Sequence, residues 1–272
     1  YDAGSSWQSF GAFCALLIWE LWIARRHLKG VFSRIFRPGA VESERQEMLS
    51  YRTAASGVVL GLIFVVFWLH GSGMDYKVAV PLVIAAFILY VGVARIIAES
   101  GLLYVMGPMT AQTFAICLVG TGAVSAGALT SLSLSYVLSP TPPFGAPHPY
   151  LDSPLPALAH IAKLGDFIGG NRRRLFLAVA LAYVTTSVFA LWLTLYWGYQ
   201  VGADNFGHAF VHSGVHLYPD TISKIKKPFD TDWNKIAFLG IGAAAMTAMM
   251  LVRHRVPGWP IHPMGFTISG TD

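Results

Sequence analysis

The stretch VAVPLVIAAFILYVGVARIIA, residues 78–98, contains 21 residues, and only Arg95 among them is charged. The hydrocarbon core of a bilayer is about 30 Å thick, and a helix needs roughly 20 apolar residues to cross it. A run of this length and composition is therefore typical of a transmembrane helix. Glu99 follows four positions after Arg95, so the two side chains share one helical face and can pair.

The composition of the whole chain agrees with a membrane location. Of its 272 residues, 54% are hydrophobic and 12% are charged, whereas soluble domains carry about 25% charged residues. This balance excludes a cytosolic enzyme, a nucleic-acid-binding module and a disordered chain. The only two cysteines, Cys14 and Cys117, both lie in apolar runs, which excludes a disulfide scaffold and a cysteine-ligated zinc module.

Further apolar runs lie on both sides of residues 78–98. We predict a single all-α transmembrane domain over residues 1–272, a polytopic helical bundle of about six to seven membrane segments, some broken or re-entrant. The predicted spans are residues 7–24, 53–70, 78–98, 102–138, 175–199 and 236–252. Seven of the fifteen prolines lie in residues 139–158, so residues 139–170 are predicted to form an interfacial, proline-rich connector with a short amphipathic helix.

The distribution of basic residues predicts the orientation in the membrane. Seven of the nineteen lysines and arginines lie between Arg25 and Arg52, so we expect loop 25–52 and the C-terminus on the cytoplasmic side of an inner membrane. A single crossing by residues 102–138 would place the arginines at 172–174 on the opposite side. This stretch is therefore predicted to cross twice as short helices or to return to the same face. Gly107-Pro108 favours such a break, which membranes tolerate only inside protein or beside a wet cavity.

Few charges lie inside the predicted spans, and these are the candidate transport or gate residues. Arg95 and Glu99, beside the bend at Gly107 and Pro108, could form a polar site or gate, or a structural ion pair at the helix end. Glu20 lies near the basic end of the first span. We expect it to snorkel or to pair with Arg25 or Arg26; relaying protons or binding a cation is the functional alternative.

A second candidate site lies between the last two spans. An acid and three histidines follow one another at steps of four: Asp204, His208, His212 and His216. On a helix such residues share a face, and carboxylate and imidazole are good ligands for a transition metal. A polar segment with interfacial histidines is the alternative, because Gly207 and Gly214 weaken a rigid helix.

Several short motifs resemble one family of uncharacterised bacterial and archaeal multi-pass proteins. They are WIARRHL at 22–28, SYRTA at 50–54, ARIIAESG at 94–101, NRRRL at 171–175, YQVGA at 199–203 and PGWPIHPMGF at 257–266. That family resembles oligopeptide transporters distantly and its members are longer, which implies that this chain matches their C-terminal half. This chain departs from the family's Arg-x-Arg motif, because Val93 occupies the position of the first arginine, while Arg95 occupies that of the second.

Three functions remain open from the sequence. The first is a secondary-transporter-like unit for a small solute or peptide, with Arg95 as the anion partner and Glu99 as a proton or cation carrier. The second is a non-catalytic accessory subunit packed against a larger membrane complex. The third is a metal-dependent membrane oxidoreductase that uses the Asp204–His216 cluster. Beyond lipid, the partners expected are other membrane subunits or an N-terminal half that precedes Tyr1.

Overall fold

The computed structural model describes residues 3–36, 48–102, 105, 107–135, 155–165, 172–202, 205, 218–256 and 263–268, and all regular structure in these ranges is helical. The prediction of an all-α bundle is confirmed. The helices are α1 (Ala3–Ile23), α2 (Arg25–Phe36), α3 (Tyr51–Gly71), α4 (Tyr76–Ser100), α5 (Ala111–Val119), α6 (Ala126–Leu134), α7 (Leu155–Leu164), α8 (Arg172–Val201), α9 (218–226), α10 (Trp233–Arg255) and α11 (Met264–Ile268).

Within the described residues, four helices are long and apolar enough to cross a membrane: α3, α4, α8 and α10. A fifth candidate is the pair α1 and α2, which is bent by 63° where the two helices meet. The count is lower than the six to seven predicted segments because residues 102–138 form no complete span in their described part. There α5 and α6 have nine residues each, which gives a length of about 14 Å, half of a bilayer core. The described part of this stretch therefore contains two short helices, and a broken or double crossing of the membrane there stays a prediction.

The buried core lies between α1, α4, α5 and α10. Side chains that are almost completely buried there include Phe10, Phe13, Leu82, Leu89 and Met246. Burying side chains of this size removes them from both lipid and water, and the interdigitation of their shapes holds the helices in one arrangement. This core fixes how the ends of the surrounding helices meet.

Two glycines let α1 and α10 approach until their backbones touch. A Cβ atom at Gly11 would collide with the carbonyl oxygen of Leu239, and one at Gly242 would collide with the carbonyl oxygen of Gln8. Such collisions involve backbone rather than flexible side chains, so no rotamer change relieves them. Small residues at a helix crossing are the usual means of close packing inside membranes.

Hydrogen bonds tie α5 to α6 and join the turn after α5 to the segment that precedes α10. The Gln112 side-chain amide donates to the Ser135 carbonyl oxygen at 2.7 Å, which ties the start of α5 to the end of α6. The Phe229 backbone N–H donates to the Thr121 hydroxyl at 2.7 Å, and the Gly122 N–H donates to the Phe229 carbonyl at 3.1 Å. We call this bonded pair of segments, residues 117–122 and 229–232, the clasp.

Helix α8 differs from the others in its surroundings. It has 30 residues, and none of them is buried among other described residues. Its apolar side chains cover the whole circumference rather than one face. A helix that is apolar all round is typical of a membrane span or of a helix enclosed by other protein.

Candidate functional site

Three helices run in the same direction and end together. Gly4 of α1 faces the ring of Phe238 in α10, and Gln8 faces Gly242 one turn further on, so α1 and α10 are parallel. The ring of Phe13 in α1 packs on Gly92 in α4, and this contact precedes the ends of both helices. The carboxyl ends of α1, α4 and α10 therefore meet at one end of the bundle.

The predicted candidates Glu20, Arg95 and Glu99 come together at this end. The Arg95 Nη2 atom lies 3.2 Å from a carboxylate oxygen of Glu20 and 3.2 Å from one of Glu99. The pairing of Arg95 with Glu99 follows from their spacing of four on α4, whereas Glu20 reaches Arg95 from α1. One guanidinium thus bridges two carboxylates and joins two helices. We call these three residues the triad.

The partner of Glu20 differs from the one expected. We expected Arg25 or Arg26, but Glu20 pairs with Arg95. The reason is the bend of 63° between α1 and α2, which turns the arginines of α2 away from the axis of α1. The guanidinium carbon of Arg25 instead lies 4.3 Å from the centre of the Trp22 ring, a cation–π contact.

The triad is only partly covered by other parts of the protein, and this limits its contribution to stability. The side chain of Arg95 is 49% exposed, and those of Glu20 and Glu99 are 28% and 38% exposed. Ion pairs at such exposure contribute about 0–1 kcal/mol to stability in water. A group of three charges near a span end that adds so little to stability is a candidate for function.

A cleft of about 660 Å³ opens beside the triad. Glu20 and Glu99 are part of its lining, and Leu16 and Met250 contribute apolar surface. The remaining charged and titratable residues of its lining are basic, and they come from α2 and α10: Arg25, Arg26, Arg253 and His254. We call this cavity the helix-end cleft. Its volume is within the range of about 300–1,000 Å³ that is usual for small-molecule sites.

Sequence reasoning missed the basic side of this cleft. It considered Arg25 and Arg26 only as span-end charges and partners of Glu20, and Arg253 only as a charged span end, because nothing in the chain order shows that α1 and α10 pack side by side. One signal was present: the first and last predicted spans both end in adjacent basic residues. Pro263, from the family-like motif at 257–266, also lines the cleft and is buried.

The other predicted site residues do not join the triad. Gly107 and Pro108 are buried in the segment between α4 and α5, and neither lines the helix-end cleft. The four candidate metal ligands, Asp204, His208, His212 and His216, lie outside the described residues. Among the residues that the structure does describe, no group of three or more histidine, cysteine, aspartate or glutamate side chains could hold a metal ion. The metal site remains a prediction.

The fold and the composition of its helices define a polytopic helical membrane protein. The chain belongs to the family of unknown function DUF6785, whose model matches residues 4–272. The expectation of an uncharacterised family is confirmed; the distant resemblance to oligopeptide transporters is not part of this match. No curated protein and no solved structure matches the chain.

Proposed function

We propose that this protein is a secondary-transporter-like unit for a small solute, and that the triad gates the helix-end cleft. The observation that carries the proposal is the bridge from Arg95 to one carboxylate on α1 and another on α4, at the edge of a cavity of ligand size. Transporters commonly bind their solutes where discontinuous helices and charged groups meet. The bend of 63° between α1 and α2 supplies such a discontinuity at the cleft, which residues of both helices line.

The triad offers a simple way to couple a proton to movement. One guanidinium serves two carboxylates, so the three groups carry a net negative charge when both acids are ionised. Protonation of Glu99 would leave Arg95 paired with Glu20 alone. An anionic solute that then replaces Glu20 at Arg95 would break the ion pair between α1 and α4 at the cleft. Arg95 is the anion partner in this scheme, and Glu99 carries the proton.

The ends of α1 and α10 support an orientation with the cleft facing the cytoplasm. Arg25 and Arg26 follow α1, and Arg253 and Arg255 complete α10, all at the same end of the bundle. Basic residues at span ends favour the cytoplasmic side of a membrane. In this orientation the cleft is an inward-facing site, and the turn between α3 and α4 lies outside.

Reconstitution in vesicles tests the proposal. Purified protein is first screened for thermal stabilisation by a panel of small solutes and dipeptides, and those that stabilise it are tested for uptake with a proton gradient. We expect uptake by the wild type and at least a tenfold loss of proton-coupled uptake in Glu99→Gln. Lys224→Gln is the matched control, because it breaks another i,i+4 pair, with Asp220, away from the cleft. Wild-type vesicles that take up no solute of the panel would contradict the proposal.

The second candidate function is an accessory subunit of a larger membrane complex. None of the 30 residues of α8 is buried among the described residues, and this favours an accessory role, because a protein partner would cover the helix. Purification from native membranes in a mild detergent, followed by native mass measurement, separates the two. An accessory subunit would remain in a heteromeric assembly and show no uptake by itself.

A further inference from the structure

The helix-end cleft has an unbalanced set of charges. Four guanidinium groups lie in the cleft or on its triad, those of Arg25, Arg26, Arg253 and Arg95, against the two carboxylates of Glu20 and Glu99. The formal charge is therefore +2 with His254 neutral. The carboxyl ends of α1, α4 and α10 contribute partial negative charge, about half a unit each at most. The cleft stays positive after this correction.

The positive charge of the cleft is available to a ligand because two of the four arginines form no ion pair with a described acid and no stacking contact. Arg95 is held by the two carboxylates, and Arg25 stacks on Trp22. Arg26 and Arg253 are exposed, and neither forms an ion pair with any acid in the part of the chain that the structure describes. They come from different helices, α2 and α10, and face one cavity.

We propose that the helix-end cleft binds an oxyanion, a carboxylate or a phosphate group, between Arg26 and Arg253. The guanidinium fork matches both groups through paired N–H bonds, and such charge-assisted bonds are stronger than neutral ones. Arg25 and His254 add positive charge at the same surface, while the apolar side chains of Leu16 and Met250 accommodate a carbon skeleton. The inference rests on the proposed function, since it names the ligand class of the same cleft.

Calorimetric titration of the full chain with inorganic phosphate, in detergent and at constant ionic strength, tests the proposal. We expect saturable binding by the wild type and at least a tenfold weaker affinity in the double variant Arg26→Gln/Arg253→Gln. The matched control is Lys29→Gln/Arg255→Gln, which removes the same charge from the same two helices at positions that do not line the cleft. We expect its affinity to stay within twofold of the wild type.

A second probe separates a free anion from a lipid headgroup. Native mass spectrometry measures how much phosphatidylglycerol the protein retains after exchange into phosphatidylcholine-containing micelles. Phosphate binding that depends on Arg26 and Arg253 assigns the site to a free solute. Retained phosphatidylglycerol with the same dependence, without phosphate binding, assigns it to a lipid headgroup. Binding of neither probe by the wild type, or equal loss in both double variants, overturns the proposal.

Two further measurements separate the paired hydrogen bonds from charge alone, and the anion site from the transport function. Arg26→Lys/Arg253→Lys retains the charge and loses the fork, and we expect affinity between those of the wild type and the glutamine variant; unchanged affinity would contradict the paired bonds. Vesicle uptake is measured on the same proteins. Phosphate binding without any uptake would refute the transport function and leave the anion site standing. Uptake by a wild type that binds neither phosphate nor phosphatidylglycerol would refute the anion site and leave transport standing.

Discussion

The guanidinium of Arg95 lies 3.2 Å from a carboxylate oxygen of Glu20, and this contact joins α4 to α1 at the end where both helices finish. The same nitrogen contacts Glu99 at 3.2 Å within α4. The pair of Arg95 with Glu99 is local and follows from a spacing of four. The pair of Arg95 with Glu20 exists only because α1 and α4 are parallel and in register. The triad is thus partly a property of the sequence and partly of the packing.

The pairing of Glu20 with Arg95 predicts a measurable coupling in stability. In a double-mutant cycle of Glu20→Gln and Arg95→Gln, we expect a coupling free energy of about 0.2–1 kcal/mol, given the exposure of the pair. The free energy of unfolding in mixed micelles is the measured quantity. The parallel cycle of Glu20→Gln with Arg25→Gln should give no coupling, and a larger value there would mean that Glu20 pairs with α2 instead.

The contact of α1 with α10 predicts opposite effects at two glycines of α10. Gly242→Ala places a methyl group against the Gln8 carbonyl, and we expect a destabilisation of about 1–3 kcal/mol from overpacking. Gly240→Ala meets no atom within 4 Å and should be neutral or stabilising, since alanine favours helix. Thermal unfolding of the purified variants compares them. Equal melting temperatures would show that the two helices do not touch at Gly242.

The clasp predicts a similar contrast between two neighbouring glycines. Gly120 has φ +80°, and a Cβ there would lie 2.9 Å from backbone atoms of Phe229 and Asp230. With ψ 145°, Gly120 lies in an extended positive-φ region that is almost restricted to glycine and costs about 1–3 kcal/mol for a residue with a side chain. Gly120→Ala should therefore lower the free energy of unfolding by at least about 1 kcal/mol. Gly122→Ala, whose nearest neighbour would be 3.5 Å away, is the control. A smaller effect at position 120 than at 122 would refute the clasp.

The proposed orientation predicts which cysteines a membrane-impermeant maleimide can reach. In a Cys14→Ala/Cys117→Ala background, Ser72→Cys in the turn after α3 should be labelled from outside intact cells. Lys29→Cys on α2 should be labelled only after the membrane is opened. The reverse pattern would place the helix-end cleft on the outer side and contradict the inward-facing arrangement.

Much of the helical framework could be predicted, because its signals are local. The predicted spans 53–70 and 78–98 lie within α3 and α4, which begin and end within two residues of them. Glycine at 101, with φ +70°, ends α4 with a bond from its N–H to the Ile97 carbonyl, a local signal of the same kind. The helix boundaries within residues 102–138 are harder to predict, because a run of weakly polar residues does not indicate where one short helix ends and the next begins.

The candidate site could likewise be predicted only in part. The pair Arg95 and Glu99 could be predicted, because a helix brings residues four apart onto one face. The addition of Glu20, Arg26 and Arg253 could not, because their distances depend on the parallel packing of helices that are far apart in the chain. Glycines 11 and 242 govern that packing, and their importance appears only when the opposing backbone is present.

The sequence by itself determined that this protein lies in a lipid membrane and how long its main helices are. Low charge, long apolar runs and basic span ends follow from the free energy of placing residues in lipid, and each residue contributes on its own. Only the tertiary structure decided which helix ends meet. The backbone contact of α1 with α10 and the Phe13–Gly92 contact with α4 bring three carboxyl ends together. That convergence turns scattered span-end charges into one positively charged cleft beside the triad.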